Sequence, residues 1–196
     1  LIPALIAHAE RRSAAGRPVS GRDLLLALSL GVEIAAMIGA ASKSVMKFFR
    51  PATCGGFGVV AGLGSMEGLD AATMMHAFGI QYGQTSGTMQ AHVEGSLLLG
   101  MQVGFNGRAG LTSIDLAMAG LTGPQQILTG MYGYYKLFET EHDIAGWWPR
   151  LGREWQITRV SHKPFPSGRL THAAVDAIQQ ARAELGFTAD DVQSMS

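Results

Sequence analysis

The chain has 196 residues, 47% of them hydrophobic and only 15% charged. Its fifteen basic and fifteen acidic side chains cancel, which argues against the basic surface that nucleic acid or an anionic membrane would require. A charged share well below the usual quarter or so leaves little polar surface for a monomer and points to buried subunit contacts.

The length supports one sizeable core, or one domain with the start of another. The single cysteine, Cys54, rules out an internal disulfide framework and fits a reducing compartment, so a cytoplasmic location is expected. Leu1, Ile2, Leu5, Ile6 and Ala9 are spaced for one helical face from the first residue, with no initiator Met. The chain therefore reads as an internal piece of a longer protein.

Ser20-Gly21-Arg22-Asp23 resembles a capping box and predicts a helix running to about Ala41. The apolar run Leu24 to Ala41 is nearly long enough for a bilayer, but Glu33 interrupts it, and a buried helix is the better reading. Asp70 caps a predicted helix from Ala71 to Ile80. A further long helix is expected from Phe105 through Leu121, stopped by Thr122-Gly123-Pro124. A short helix from Gln125 to Leu128 follows, ended by Gly130. The Tyr132-Gly133-Tyr134-Tyr135 cluster reads as an aromatic loop or short helix packed on the body.

The character changes after about Gly146. Alternation over Trp155 to Val160 predicts a short strand, and the two prolines in Lys163-Pro164-Phe165-Pro166 exclude helix interior there. Leu170 to Leu185 is a strongly amphipathic helix. The expectation is a mainly α body over 1–153 and the start of a small α/β domain over 154–196.

Gly56-Phe57-Gly58-Val59-Val60-Ala61 matches a dinucleotide fingerprint, but no buried strand precedes it, so close helix packing explains these glycines better. The six histidines never fall at zinc spacing, so no metal site is expected. Cys54 sits near a probable helix start, where the dipole lowers a thiol pKa, yet a small buried residue is the simpler reading. Arg50, beside Pro51, reads either as a structural ion pair or as a bidentate fork for a substrate carboxylate. Gln102, Asn106 and Arg108 read equally as helix-end hydrogen bonding or as site residues. Lys163, followed by Arg169 and His172 at a helix start, suits an anion-binding edge or plain solvation. His92 and Glu94 are a loop pair or an acid/base pair.

Several ordered segments carry a resemblance. They are Arg50-Pro51-Ala52-Thr53-Cys54-Gly55, Gln84-Thr85-Ser86-Gly87-Thr88-Met89-Gln90, Glu94-Gly95-Ser96, Gln102-Val103-Gly104-Phe105-Asn106-Gly107-Arg108-Ala109-Gly110 and Lys163-Pro164-Phe165-Pro166-Ser167-Gly168. They keep their order along the chain, which resembles the MmgE/PrpD family over nearly its whole length. That family includes 2-methylcitrate dehydratase, cis-aconitate decarboxylase and iminodisuccinate epimerase.

The resemblance implies a large helical domain with a smaller α/β lid, often in a homodimer, and a lyase or isomerase that acts without metal or other cofactor. Its substrate would be a small di- or tricarboxylate, activated by proton abstraction next to a carboxylate. On this reading Lys163, His172 and His92 form the catalytic set, and Arg50, Gln84, Gln102, Arg108 and Arg169 bind substrate. Many members carry His at the position of Arg50, Lys near Leu99 and His at the position of Gln102, and this chain departs at all three. Those departures keep open a non-catalytic binding or scaffold protein with the family fold, or a piece inactive by itself.

Overall fold

The computed structural model describes residues 1–194. Unit one, Leu1–Arg159, is a helical body; a second compact unit starts at Val160. The body contains α1 (Ile2–Ala14), α2 (Gly21–Ala41), α3 (Arg50–Glu67), α4 (Ala71–Gln84), the single turn α5 (Gln90–Val93), α6 (Leu98–Met118), α7 (Tyr134–Phe138) and α8 (Ile144–Trp147). The second unit holds α9 (His172–Leu185), preceded by the 3-10 turn Arg169–Thr171.

Local chemistry sets the helix ends. The Ser20 hydroxyl accepts from the Asp23 amide at 3.1 Å and opens α2. Asp70 does the same for α4, taking the Thr73 amide at 2.8 Å. Pro51 occupies the first turn of α3, where its missing N–H costs nothing. The same helix closes on Gly68, whose φ of 66° lies in the left-handed region.

Helix α3 is the axis of the body and is buried along nearly its whole length. Its glycines let α2 cross it at backbone contact: a Cβ on Gly58 would stand 2.4 Å from the Gly31 carbonyl oxygen. The fingerprint-like glycines are thus helix-packing positions inside α3. Helix α2 is long and apolar enough to cross a bilayer by length and composition, but here it packs on α3 through this crossing. One core joins Leu5, Ala27, Val60, Leu63 and Ile114; a second joins Met37, Ile38, Phe57, Tyr134 and Tyr135. Full burial of side chains such as Phe57 and Leu63 contributes about 1.5–3 kcal/mol each.

Two predicted elements are corrected. Trp155 to Val160 forms no strand; Gln156–Arg159 is a 3-10 turn. The buried Glu33 carboxylate accepts the Gln156 amide at 2.6 Å, and the Thr158 amide and hydroxyl both turn back to the Trp155 carbonyl. Alternation alone could not supply a neighbouring strand; among the described residues, the only strand-like pairings are two isolated bridges, Ser42 with His142 and Phe48 with Thr88. Gln125 to Leu128 forms no helix either. The carbonyls of Ile127 and Leu128 accept the amides of Tyr134 and Tyr135 at 2.6 and 3.1 Å, which holds that segment as a turn. The sixth helix starts earlier than expected, at Leu98, and the aromatic cluster resolves into α7 with Tyr134 and Tyr135 buried.

Candidate functional site

A pocket of about 540 Å³ lies where α2, α3 and α6 meet. Small residues on α2, among them Ala35, Ala36, Gly39 and Ala40, leave the space open, and Arg50 is the one charged residue on its lining.

Arg50 is not a free cation. Its Nε donates to Glu139 Oε1 at 2.8 Å and its Nη2 to Oε2 at 2.6 Å, a bidentate fork. Nη2 also donates to the Ser44 carbonyl at 2.6 Å. The Ser44 hydroxyl donates to the same Glu139 carboxylate. Both side chains are largely withdrawn from solvent, 17% exposed for Arg50 and 2% for Glu139. Hydrogen bonding to Glu139 raises the Arg50 pKa further. Burial works to raise the Glu139 carboxyl, but the hydrogen bonds from Arg50 and Ser44 win and hold it below its ordinary value.

One turn further along α3, the Thr53 hydroxyl and Tyr134 hydroxyl lie 2.9 Å apart, and Cys54 Sγ lies 3.3 Å from the same phenol. Burial pushes the Cys54 thiol up. The helix begins at Arg50, so Cys54 is already in the second turn and gains no thiolate character from the helix end. Burial likewise drives the Tyr134 phenol up, so it acts here as a neutral hydrogen-bonding group.

Gln102 and Asn106, one turn apart on α6, fix the segment between α4 and α5. The Gln102 side-chain oxygen accepts the Thr88 amide at 2.6 Å, and its Nε2 donates to the Thr88 carbonyl at 3.2 Å. Asn106 Nδ2 donates to the Ser86 carbonyl at 2.8 Å. On its other side the segment is stitched by Phe49 N to Gly87 O at 3.1 Å and Met89 N to Lys47 O at 3.0 Å. Gln84 donates to the Ser113 hydroxyl at 3.0 Å and to the Ile80 carbonyl at 3.2 Å. His92 stands exposed on α5, while the neighbouring Glu94 carboxylate accepts from Gln90 Nε2. Arg108 lines a different pocket, of about 390 Å³ between α1 and α6, with its guanidinium 5.6 Å over the Phe105 ring.

In the second unit, Lys163 Nζ donates to the Ser167 carbonyl at 3.1 Å, and His172 Nε2 lies 3.4 Å from the same oxygen. A carbonyl only accepts, so this contact selects the tautomer with the proton on Nε2. The Phe165 ring meets His172 edge-on at 5.5 Å. Arg169 is exposed in the turn ahead of α9. Among the named site residues of the helical body, only Arg50 lines the 540 Å³ pocket. Within the second unit, Lys163 and His172 share the Ser167 carbonyl, and Arg169 follows two residues later in the chain. The residue that sequence reading missed is Glu139: it lies 89 positions from Arg50, and no local spacing could announce the pair.

Among the described residues the body is helical, with α2 crossing α3 at backbone contact and an arginine-bearing pocket beside that crossing. Residues 1–146 match the MmgE/PrpD N-terminal domain, and the chain belongs to the MmgE/PrpD family. It is 30% identical over 195 residues to the cis-aconitate decarboxylase of Aspergillus terreus, a match covering 92% of this chain and 39% of that protein. The mouse cis-aconitate decarboxylase is 28% identical over 176 residues, covering 85% of this chain and 35% of its own length. The human one is 26% identical over 196 residues, covering 94% and 39%. The chain thus spans about two fifths of the length of these relatives.

Proposed function

We propose that the full-length protein is a lyase acting on a small tricarboxylate or dicarboxylate, with cis-aconitate the first candidate. The observation that carries this reading is the 30% identity to a cis-aconitate decarboxylase along 92% of this chain. The 540 Å³ pocket supports it in size alone, since small-molecule sites run from roughly 300 to 1,000 Å³; its arginine is already paired with Glu139.

Two reaction courses fit such a substrate. In decarboxylation the bond to a carboxyl carbon breaks, CO₂ leaves, and the electron pair left on carbon takes a proton. In dehydration a base removes the proton next to a carboxylate and hydroxide leaves from the neighbouring carbon. In either case cations stabilise the charge that develops. In this proposal Lys163 and Arg169 hold carboxylates, and His172 and His92 are candidates for moving the proton. Arg50 offers only Nη1, the nitrogen that neither Glu139 nor Ser44 takes, Arg108 is a further candidate cation, and Gln84 and Gln102 hold segments of the helical body in place. The proposal includes a homodimer in the cytoplasm, and a lid domain that begins in the 154–196 region.

A second reading has its own observation in favour. Arg50 and Gln102 stand where many family members carry histidines, and both are used internally, by Glu139 and by Thr88. A binding or scaffold protein that keeps the family fold accounts for that.

Turnover separates the two. The full-length protein is incubated with cis-aconitate, 2-methylcitrate and related acids, and products are followed by proton NMR with CO₂ release. Turnover of one acid, weakened in Lys163→Ala, supports the lyase. No turnover of any of them, with acid binding unchanged in Lys163→Ala, removes it in favour of the scaffold.

A further inference from the structure

A second pocket in the helical body, of about 400 Å³, contains no charged residue on its lining. Its floor is the buried core side chains Met37, Ile38 and Phe57. Met75 and Trp148 stand at its edge, 38% and 48% exposed. Gln125, Gln126 and Thr129 are its polar lining residues, all on one connecting segment.

A void beside an aromatic core normally closes, because side chains relax into it. This one is kept open by a wall held through its backbone. At one end, α4 and the connecting segment touch main chain to main chain: a Cβ on Gly79 would lie 2.3 Å from the Pro124 carbonyl oxygen. The Gly123 amide also donates to His76 Nδ1 at 3.3 Å. At the other end, Ile127 and Leu128 are tied to Tyr134 and Tyr135 by the backbone bonds described above, and the Tyr82 hydroxyl donates to the Tyr132 carbonyl. The wall between these anchors cannot move inward without breaking them.

From this geometry we infer a binding site for an uncharged, mainly apolar small molecule with a hydrogen-bonding group at one end. The volume falls in the range of small-molecule sites, roughly 300–1,000 Å³. It is more than twice the roughly 150 Å³ that suffices for benzene, so a two-ring body fits. The aromatic and methionine lining favours flat or flexible apolar groups, and Gln125, Gln126 and Thr129 offer amides and a hydroxyl to the polar end. With no cation on the lining, burying a carboxylate there leaves its charge unpaired, which is costly. The site is therefore distinct in chemistry from the arginine-bearing pocket and does not depend on the reaction proposed above.

The test titrates the chain with 1-naphthol and with 1-naphthoate, reading ligand fluorescence. Met75→Trp fills the pocket from its edge, and Trp148→Ala removes an aromatic wall at a half-exposed position, with the urea midpoint of each variant checked for intact folding. The expected result is saturable 1-naphthol binding that weakens at least about tenfold in both variants and for 1-naphthoate, a factor worth about 1.4 kcal/mol. No saturable binding, equal affinity in the variants, or 1-naphthoate binding as tightly as 1-naphthol would overturn the proposal.

Discussion

At each end of α3 a carboxylate is withdrawn almost completely from solvent, and the two are answered differently. At the start of the helix, Glu139 meets the guanidinium of Arg50 in a two-pronged fork and takes the Ser44 hydroxyl as well. At the far end, Glu67 gathers weaker partners: Arg17 at 3.1 Å, half exposed, Arg12 at 3.8 Å, and His8. His8 Nε2 stands 2.7 Å from Glu67 but off the line of a hydrogen bond. The other ring nitrogen, Nδ1, lies 3.0 Å from Arg11 Nη2, which can only donate; the proton of a neutral His8 therefore sits on Nε2, facing Glu67. An arginine never titrates in a protein, whereas a histidine does so near neutrality. The first end is a permanent pair, and the second responds to pH.

The comparison is broken most directly by removing Glu139. Glu139→Ala leaves a mostly buried guanidinium without its partner, and a loss of about 3–5 kcal/mol in urea unfolding is expected. Next is the crossing between the two ends. Gly58→Ala drives a Cβ toward the Gly31 carbonyl, two backbones that cannot both stay in place, and overpacking of this kind costs about 1–3 kcal/mol. Its loss should appear as one cooperative unfolding transition rather than as a weakening of either end alone.

Glu67→Gln keeps the shape at the far end while removing its charge. Because Arg17 is half exposed and His8 poorly aligned, the expected loss is smaller, about 1–2 kcal/mol. A loss equal to that of Glu139→Ala would erase the distinction.

The smallest expected effect is in pH. Burial lowers the His8 pKa, ahead of the opposing pull of Glu67. The unfolded chain then binds the proton more readily, so this contribution is intact above the ordinary value of 6.5 and is lost progressively as pH falls below it. Glu139 is also depressed, so its contribution holds above 4.5 and is lost as pH falls through its lower folded value. Unfolding free energies measured from pH 8 down to pH 4 should therefore fall first in a His8-dependent step that His8→Asn removes.

Much of this body was legible before its structure. Caps at Ser20 and Asp70 and the glycine spacing in α3 carry local physics, and a capping hydroxyl or a missing Cβ acts within a few residues of itself. The family resemblance was legible for the same reason, since its motifs keep their order along the chain. Two elements failed where the deciding contact lay outside the segment itself. The alternation of Trp155 to Val160 gave way to the Glu33 carboxylate 123 positions away, and Gln125 to Leu128 gave up helical bonds for those with α7. Arg50 carried two readings in sequence, and only Glu139 shows which of them describes its guanidinium in this fold. Lys163, Arg169 and His172 were placed together by spacing, and the shared Ser167 carbonyl gives Lys163 and His172 a common anchor.

The most direct test of the account is a double-mutant cycle on Arg50 and Glu139 by urea unfolding, with Arg50→Met, Glu139→Gln and the pair together. If Glu139 holds Arg50 as described, the double variant is less damaged than the sum of the singles, with a coupling of about 1.5 kcal/mol or more. Losses that add to within about 0.5 kcal/mol would contradict it and return Arg50 to the solvent as a free cation.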